Sequence, residues 1–565
     1  TIQEKQYEII TLPENEQFIV QGVAGSGKTM ILLHRLSFLM YNNERIKPRD
    51  VLVITPSDSF NAFIDELSTI LELEKVKTST IENYFLQILK NQGIDIAQKI
   101  DFNAKLPKDY LSYVYSDKFV LDVDKRLKKI FDGVIGMFTA EECKEMINDV
   151  INSCKIQRSI YEKIKNASLR VRRAVLGEIK EKPNGGLYYT KQFRQLFNAV
   201  TEVEEFLALD FNLMKNRGDA WFYKQLLSFY KAIKFIRRYS AKICEAAIED
   251  LTKLVNVVER EIIDLKRYKI KVDGKETFTY AERIEKRMQT LNEITATVDA
   301  VKIVADEFLV CCDLADVLKG NSYLVAIGKC ENNVDIARFF YKEVVKKIKT
   351  RYSVSLKYMY KSDPFTIVYL LLRLGNNLTP RHSFVFVDEA QDISPTEYKV
   401  LMQVNNTACF NVFGDLKQNV TNYRGLSSWD QIGFNVYNLN LNYRNTNQIV
   451  EYVSNSLSIN MQAIGFDGEQ VCYIKARNVT SYLSDKKGLK VVICSEKRLE
   501  EFSRKSYNVV RNSGKLSKKQ INILTVYESK GLEFTAVAVA DSDLTDNEKY
   551  IAYTRALKEL AIIKE

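Results

Sequence analysis

Eight consecutive residues constrain this chain more than any others: Gly22-Val23-Ala24-Gly25-Ser26-Gly27-Lys28-Thr29. The apolar run Phe18–Val20 precedes them and Ile31-Leu32-Leu33 follows. They therefore read as the loop between a buried strand and a helix. In that setting glycines let backbone N–H groups close around phosphate oxygens, and the helix N-terminus adds positive potential. Lys28 is expected to reach the β- and γ-phosphates of ATP, and Thr29 to hold Mg²⁺. Such a loop needs a parallel sheet beneath it, because ligands bind at the C-terminal ends of parallel strands.

Further runs fit the same sheet class: Val51–Ile54, Phe384–Val387, Cys409–Phe413, Val491–Cys494, Ile521–Val526 and Ala536–Ala540. Continuous apolar runs separated by helical patterns point to buried parallel strands in α/β units. Between Pro107 and Pro364 there is a single proline, Pro183, so that stretch reads as nearly all helix. The expected fold class is α/β: one α/β unit interrupted by a long helical insertion, then a second.

The insertion carries a heptad, with Cys244, Ile248, Leu251, Val255, Val258, Ile262 and Leu265 spaced by four and three. Ile284, Met288, Leu291, Ile294, Val298, Val301, Ala305 and Phe308 form a second seam. Two such seams predict a pair of packed helices. The segment Tyr268–Tyr280 between them, with Asp273-Gly274 at its centre, predicts a β-hairpin tip.

Charge adds a partner class. The formal charge is +10, and Lys155–Arg238 alone holds eighteen Lys/Arg against eight Asp/Glu, matching the whole surplus. A localised basic surface points to a polyanion, nucleic acid first. The nine cysteines form no CxxC pair and only His34 and His382 join them, which argues against structural zinc. An odd cysteine count and no basic-then-apolar leader fit a reducing, bacterial-type cytoplasm. Apolar runs such as Thr366–Leu372 are far below the roughly 18 residues of a membrane span, so no membrane role is expected.

Val387-Asp388-Glu389-Ala390-Gln391-Asp392 follows the run Phe384–Val387, which puts its acids at a strand end. Asp388 can fix Mg²⁺ through water, and Glu389 can polarise an attacking water. From these residues onward the order of motifs resembles the superfamily 1 helicases of the UvrD/Rep type. Gln6, sixteen residues before Gly22, resembles that family's adenine-reading glutamine. Thr55-Pro56 and Thr78-Ser79-Thr80 resemble its single-strand contact motifs. Gly414-Asp-Leu-Lys-Gln418, followed by Tyr423-Arg424-Gly425, resembles the motif whose glutamine senses the γ-phosphate. Asn442-Tyr-Arg444 resembles a motif donating an arginine. Lys530-Gly531-Leu-Glu533 resembles the motif whose glutamate meets the ribose, and Tyr553-Thr-Arg555-Ala556 carries a second arginine.

The resemblance implies two RecA-like domains, at 1–88 with 365–435 and at 436–565, with the insertion at 89–364. It implies catalytic roles for Lys28, Asp388, Glu389, Gln418, Arg444 and Arg555. It further implies nucleotide contacts from Gln6, Gly22–Thr29, Gly531 and Glu533. Strand contacts fall to Thr55, Pro56, Thr80, Tyr423, Arg424 and Thr525, on single-stranded or partly duplex DNA, with 3′ to 5′ movement. Two positions depart from the pattern. Glu82 stands where the family usually has a histidine, and an acid there repels phosphate. Tyr527 also replaces a histidine.

Leu33-His34-Arg35, the Tyr360–Leu374 run, Ser394-Pro395 and Val526-Tyr527 look more like the HelD branch, which binds RNA polymerase. About 80 residues separate Arg444 from Thr525, too few for a second inserted domain of typical size. RNA polymerase is therefore an alternative partner, with the helical hairpin as the arm that engages it.

Overall fold

The computed structural model describes residues 3–56, 76–102, 104–176, 188–214, 219–269, 275–376, 378, 382–421, 423–503, 506–513 and 515–564. The chain divides into two compact units. One comprises Thr1–Val123, Val345–Leu372 and Asn377–Glu565; the other comprises Asp124–Val344 and Arg373–Asn376.

The first unit holds two six-stranded, all-parallel sheets, so the RecA-like α/β class stands. In the first sheet the strands are β1 (Phe18–Gly22), β2 (Val51–Ile54), β3 (Lys77–Ser79), β4 (Phe384–Val387), β5 (Cys409–Gly414) and β6 (Asn435–Leu439). Their order is β3-β2-β4-β5-β1-β6. All four residues of both β2 and β4 are buried, which is why these strands read as unbroken apolar runs rather than alternating ones. Register aligns Phe18 with Asn411 and Val387 with Val412. Gly22, Asp388 and Asp415 thus leave the sheet along one edge.

A short pair, β7 (Leu441–Asn442) and β8 (Gln462–Ala463), leads into the second sheet. That sheet comprises β9 (Cys472–Lys475), β10 (Lys490–Cys494), β11 (Asn508–Val509), β12 (Asn522–Thr525), β13 (Phe534–Val539) and β14 (Ala556–Lys564). Their order is β11-β12-β10-β13-β14-β9. The sequence reading missed β14, which starts directly after Arg555 and lies between β13 and β9. Its Ala-Ile-Ile segment is an interior strand only because β9 covers its other edge.

The second unit is helical. Its longest members are the 51-residue helix Asp219–Lys269 and the 33-residue helix Lys275–Glu307. Cys244, Leu251, Val258 and Ile262 of the first are buried, as are Ile284, Ile294 and Val301 of the second and Phe308 just beyond its end. Met288 breaks the expected seam and is 48% exposed. Arg287 turns inward instead and pairs with Glu261 at 2.8 Å. A straight helix drifts about 20° per heptad, which rotates a strict seven-residue register off the contact line.

The expected β-tip is corrected. Tyr268 ends one helix and Lys275–Tyr280 begin the next; 270–274 lie outside the described residues. Tyr268 and Tyr280 do face one another, with rings 6.5 Å apart and 13° from parallel, but from helices. An isolated two-stranded hairpin is marginal in water, whereas the helix pair extends its own packing to this point.

The described residues of the basic segment lie mainly on Glu141–Leu176, Tyr188–Leu207 and Asp219–Lys269, and some of its charge is paired within the unit: Arg158 with Glu204, Lys234 with Glu331, Arg237 with Asp316. Among the described residues no helix is long and apolar enough to cross a membrane, and no His/Cys/Asp/Glu group has the makings of a metal cluster. All nine cysteines are free.

Candidate nucleotide-binding cleft

The loop after β1 is shaped by its own crowding. A Cβ on Gly22 would meet Lys28 Cγ at 2.7 Å. Gly25 has φ +71°, and a Cβ there would meet Arg444 Cβ at 2.8 Å and Asn442 Nδ2 at 2.9 Å. Glycine is therefore needed at Gly22 for space, and at Gly25 for both space and backbone. Lys28 is buried, with Nζ donating to the carbonyls of Gly22 at 2.9 Å and Val23 at 3.4 Å. Ser26 Oγ is buried with no hydrogen-bond partner among the described residues, as fits a loop that takes phosphate oxygens. Gln6 Nε2 donates to Ser26 O at 3.1 Å beside a cavity of about 280 Å³ lined by Lys5, Gln6, Ser26, Leu439, Tyr443 and Gln462.

The acidic turn after β4 closes on this loop. Thr29 Oγ1 donates to Asp388 Oδ2 at 2.7 Å. Glu389 sits in the left-handed region, φ 47° and ψ 42°, a conformation that costs a non-glycine residue about 1–3 kcal/mol and marks functional turns. The Gln391 amide donates to Glu389 Oε2 at 2.5 Å. Burial and then the charge of Glu389 push the Asp388 carboxyl up to about 6. Burial would raise Glu389 as well, but Lys28, Lys530, Gln391 and Arg555 together hold it below the usual carboxylate range. Glu389 thus stays ionised, as a base that polarises water must.

Gln418 Nε2 donates to Asp415 Oδ2 at 2.9 Å, and Tyr550 OH donates to the same oxygen at 2.9 Å. Tyr550 OH in turn accepts from Ala24 N at 2.7 Å. Tyr550 lies on the helix Asp546–Thr554 of the second sheet's layer, so it ties the phosphate loop to both sheets. Asn442 Nδ2 donates to Ala24 O at 2.7 Å, and Tyr443 N to Gly25 O at 3.0 Å. Arg444 pairs with Glu533 at 2.9 Å. Arg555 is buried and donates to Ile551 O, Leu532 O and Thr554 Oγ1 at 3.2–3.4 Å. Burial first, then Arg444, lower its pKa to about 10, while Glu389 and Glu533 oppose the shift. Gly531 has φ +79° with open space at its Cβ position.

The residues expected to touch a strand are placed less simply. Thr80 caps the helix Ile81–Asn91, accepting from Asn83 N at 3.2 Å. Thr525 caps the helix Val526–Ser529 in a reciprocal box with Glu528. Thr55 is buried and donates to Ser79 O at 3.4 Å; Pro56 is exposed. Tyr423 is half-buried. Arg424 is held by two carboxylates, Glu397 at 2.7 Å and Glu82 at 2.8 Å. The acid at Glu82 is therefore not a bare negative charge.

Three further residues have partners that the sequence reading did not supply. Tyr550 carries no local signal, since both of its partners are remote. Lys530 was read only as part of a motif, yet Nζ bridges Asp392 at 2.6 Å and Gln418 O at 2.8 Å. Arg35 is fully buried and donates to the carbonyls of Ile10, Leu12 and Pro13, fixing the segment that follows the Gln6 helix.

The UvrD/REP helicase N-terminal domain family matches residues 2–428, and the viral superfamily 1 RNA helicase core domain family matches 360–564. Among solved structures, the helicase of PRRSV aligns at 14% identity and TM-score 0.24, over 33% of this chain and 36% of that one. Arterivirus nonstructural protein 10 (helicase), alone and in complex with DNA, aligns at 18% identity and TM-score 0.23, over 33% and 41%. The chain thus spans about two fifths of those helicases or less. A comparison with curated proteins gives no match. With its phosphate loop, acidic turn and both sheets inside matched families, and with one match covering more than half its length, the chain belongs to the UvrD/REP superfamily 1 helicases.

Proposed function

We propose that this chain hydrolyses ATP and uses the cycle to move along single-stranded nucleic acid, DNA first and 3′ to 5′. The observation that carries the reading is the convergence on one phosphate loop of Asp388, bonded to Thr29 at 2.7 Å, of Arg444, packed against Gly25, and of Tyr550 from the second sheet's layer, bonded to Ala24 N at 2.7 Å. Phosphoryl transfer spreads negative charge over oxygens that cations must face from across a cleft, and an arginine so placed contributes about 10³–10⁵ in rate. Gln6 and the adjoining cavity suit the base, and the loop's backbone and Lys28 suit the phosphates. Glu389, kept ionised and oriented by Gln391, polarises the attacking water. Thr29 and Asp388 are the pair that would hold Mg²⁺, which supplies charge neutralisation at the β- and γ-phosphoryl oxygens. Because both sheets contact the phosphate loop, loss of the γ-phosphate alters how the two are held together.

One observation favours a second reading, a HelD-like ATPase that remodels or recycles RNA polymerase. Between Arg444 and Thr525 the described residues form β8 to β12 and helices of at most eleven residues, which leaves the helical unit as the one large insertion among the described residues. The test is ATP turnover measured side by side with single-stranded DNA, duplex DNA, RNA and RNA polymerase. Several-fold stimulation by single-stranded DNA, with affinity falling steeply as salt rises, is expected. Stimulation by polymerase and by no oligonucleotide would shift the assignment to the second reading.

A further inference from the structure

Arg424 belongs by resemblance to the strand-contacting loop, yet its Nε and Nη2 are engaged. Nε and Nη2 fork onto Glu397 at 3.0 and 2.7 Å, and Nη2 also reaches Glu82 Oε1 at 2.8 Å. The Tyr115 ring lies 5.2 Å from the guanidinium carbon. The two carboxylates differ. Glu397 is 1% exposed and also accepts from Ser394 N and Oγ, so it is fixed in a helix cap. Glu82 stands in the first turn of the helix Ile81–Asn91 with its side chain 22% exposed.

Two acids on one guanidinium leave this trio with one net negative charge. The trio adjoins expected strand contacts: Tyr423 precedes Arg424 in the chain, and Thr80 caps the helix whose first turn carries Glu82. Carboxylate and phosphate are interchangeable partners for the guanidinium fork, since both accept two parallel N–H bonds.

We infer that Glu82 is an internal anion occupying Arg424 in place of a strand phosphate, so that a strand binding across Tyr423 exchanges one carboxylate for one phosphate. Glu397 keeps Arg424 in position throughout, and the partly exposed Glu82 side chain turns toward solvent. The inference rests on the nucleic-acid reading above and deepens it. Glu82 sets how tightly a strand is held and is a positioning residue, not a catalytic one.

The test uses Glu82→Gln, which preserves shape while removing the charge. Binding of a fluorescent oligothymidylate is followed by anisotropy at several salt concentrations. The variant is expected to bind about two- to fivefold more tightly, the range a partly exposed ion pair supports. Its log K against log salt is expected to steepen by about 0.7, one added single-strand phosphate contact. In Glu82→Gln/Arg424→Gln the gain should vanish. Persistence of the gain there would show general charge removal and overturn the exchange, as would unchanged affinity and slope in Glu82→Gln. In those two cases the nucleic-acid reading stands. Absence of oligonucleotide binding by both wild type and Glu82→Gln would instead remove that reading, and the inference with it.

Discussion

The two sheets hold their share of the cleft in different ways. On the first, the functional groups lock one another: Thr29 to Asp388 at 2.7 Å, Gln391 to Glu389 at 2.5 Å, Gln418 to Asp415 at 2.9 Å. On the second, Arg555 is tethered by donations to neutral oxygens at 3.2–3.4 Å, and Arg444 by a pair with Glu533 in which both side chains are over a third exposed. A guanidinium resting on neutral acceptors gives less than one on a carboxylate or phosphate. The difference teaches that one wall is set before nucleotide arrives, while the other keeps its cations available.

Mutations sharpen that contrast. The largest loss is expected on the fixed wall: Lys28→Ala and Glu389→Gln should each leave no measurable steady-state ATP turnover. Glu389→Gln should still retain a labelled nucleotide in equilibrium binding, because the loop is intact. Retained hydrolysis in either would contradict the assigned roles. Next comes the adaptable wall. Arg555→Ala should slow single-turnover hydrolysis by about a hundredfold or more while leaving nucleotide affinity nearly unchanged; a loss mainly in affinity would mean that Arg555 is part of the fixed framework too.

Tyr550→Phe probes the joint between the walls. It leaves the Ala24 N–H and an Asp415 oxygen without their shared partner, which should cost about 1–3 kcal/mol in urea unfolding. The smallest effect is expected for Glu533→Gln. It releases Arg444 from a half-exposed pair, so the KM for ATP should change by only a few-fold, about 1 kcal/mol or less. A loss as large as that of Arg555→Ala would erase the distinction between the walls.

The site was legible where its groups are consecutive. Gly22–Thr29 and Asp388–Asp392 announce themselves because a phosphate loop and a strand-end acid turn are built from neighbouring backbone. The strands β2, β4 and β10 were legible because interior parallel strands are apolar on both faces. Tyr550, Lys530 and Arg35 were not, since each gains its meaning from partners that only the fold brings near. The tip expected at Tyr268–Tyr280 misled because its described ends, Tyr268-Lys269 and Lys275–Tyr280, continue two long helices.

By itself the sequence determined the chemistry at the phosphate loop, the parallel α/β class and the helical nature of the insertion. These follow from local backbone demands and from periodic burial, which are written in adjacent residues. Only the tertiary structure decided that Arg424 is shared between Glu82 and Glu397, that β14 is an interior strand of the second sheet, and that one tyrosine hydroxyl joins the two walls. Ion pairs and interior strands are set by distances across the fold, between residues up to 526 positions apart in the chain, and no local pattern encodes them.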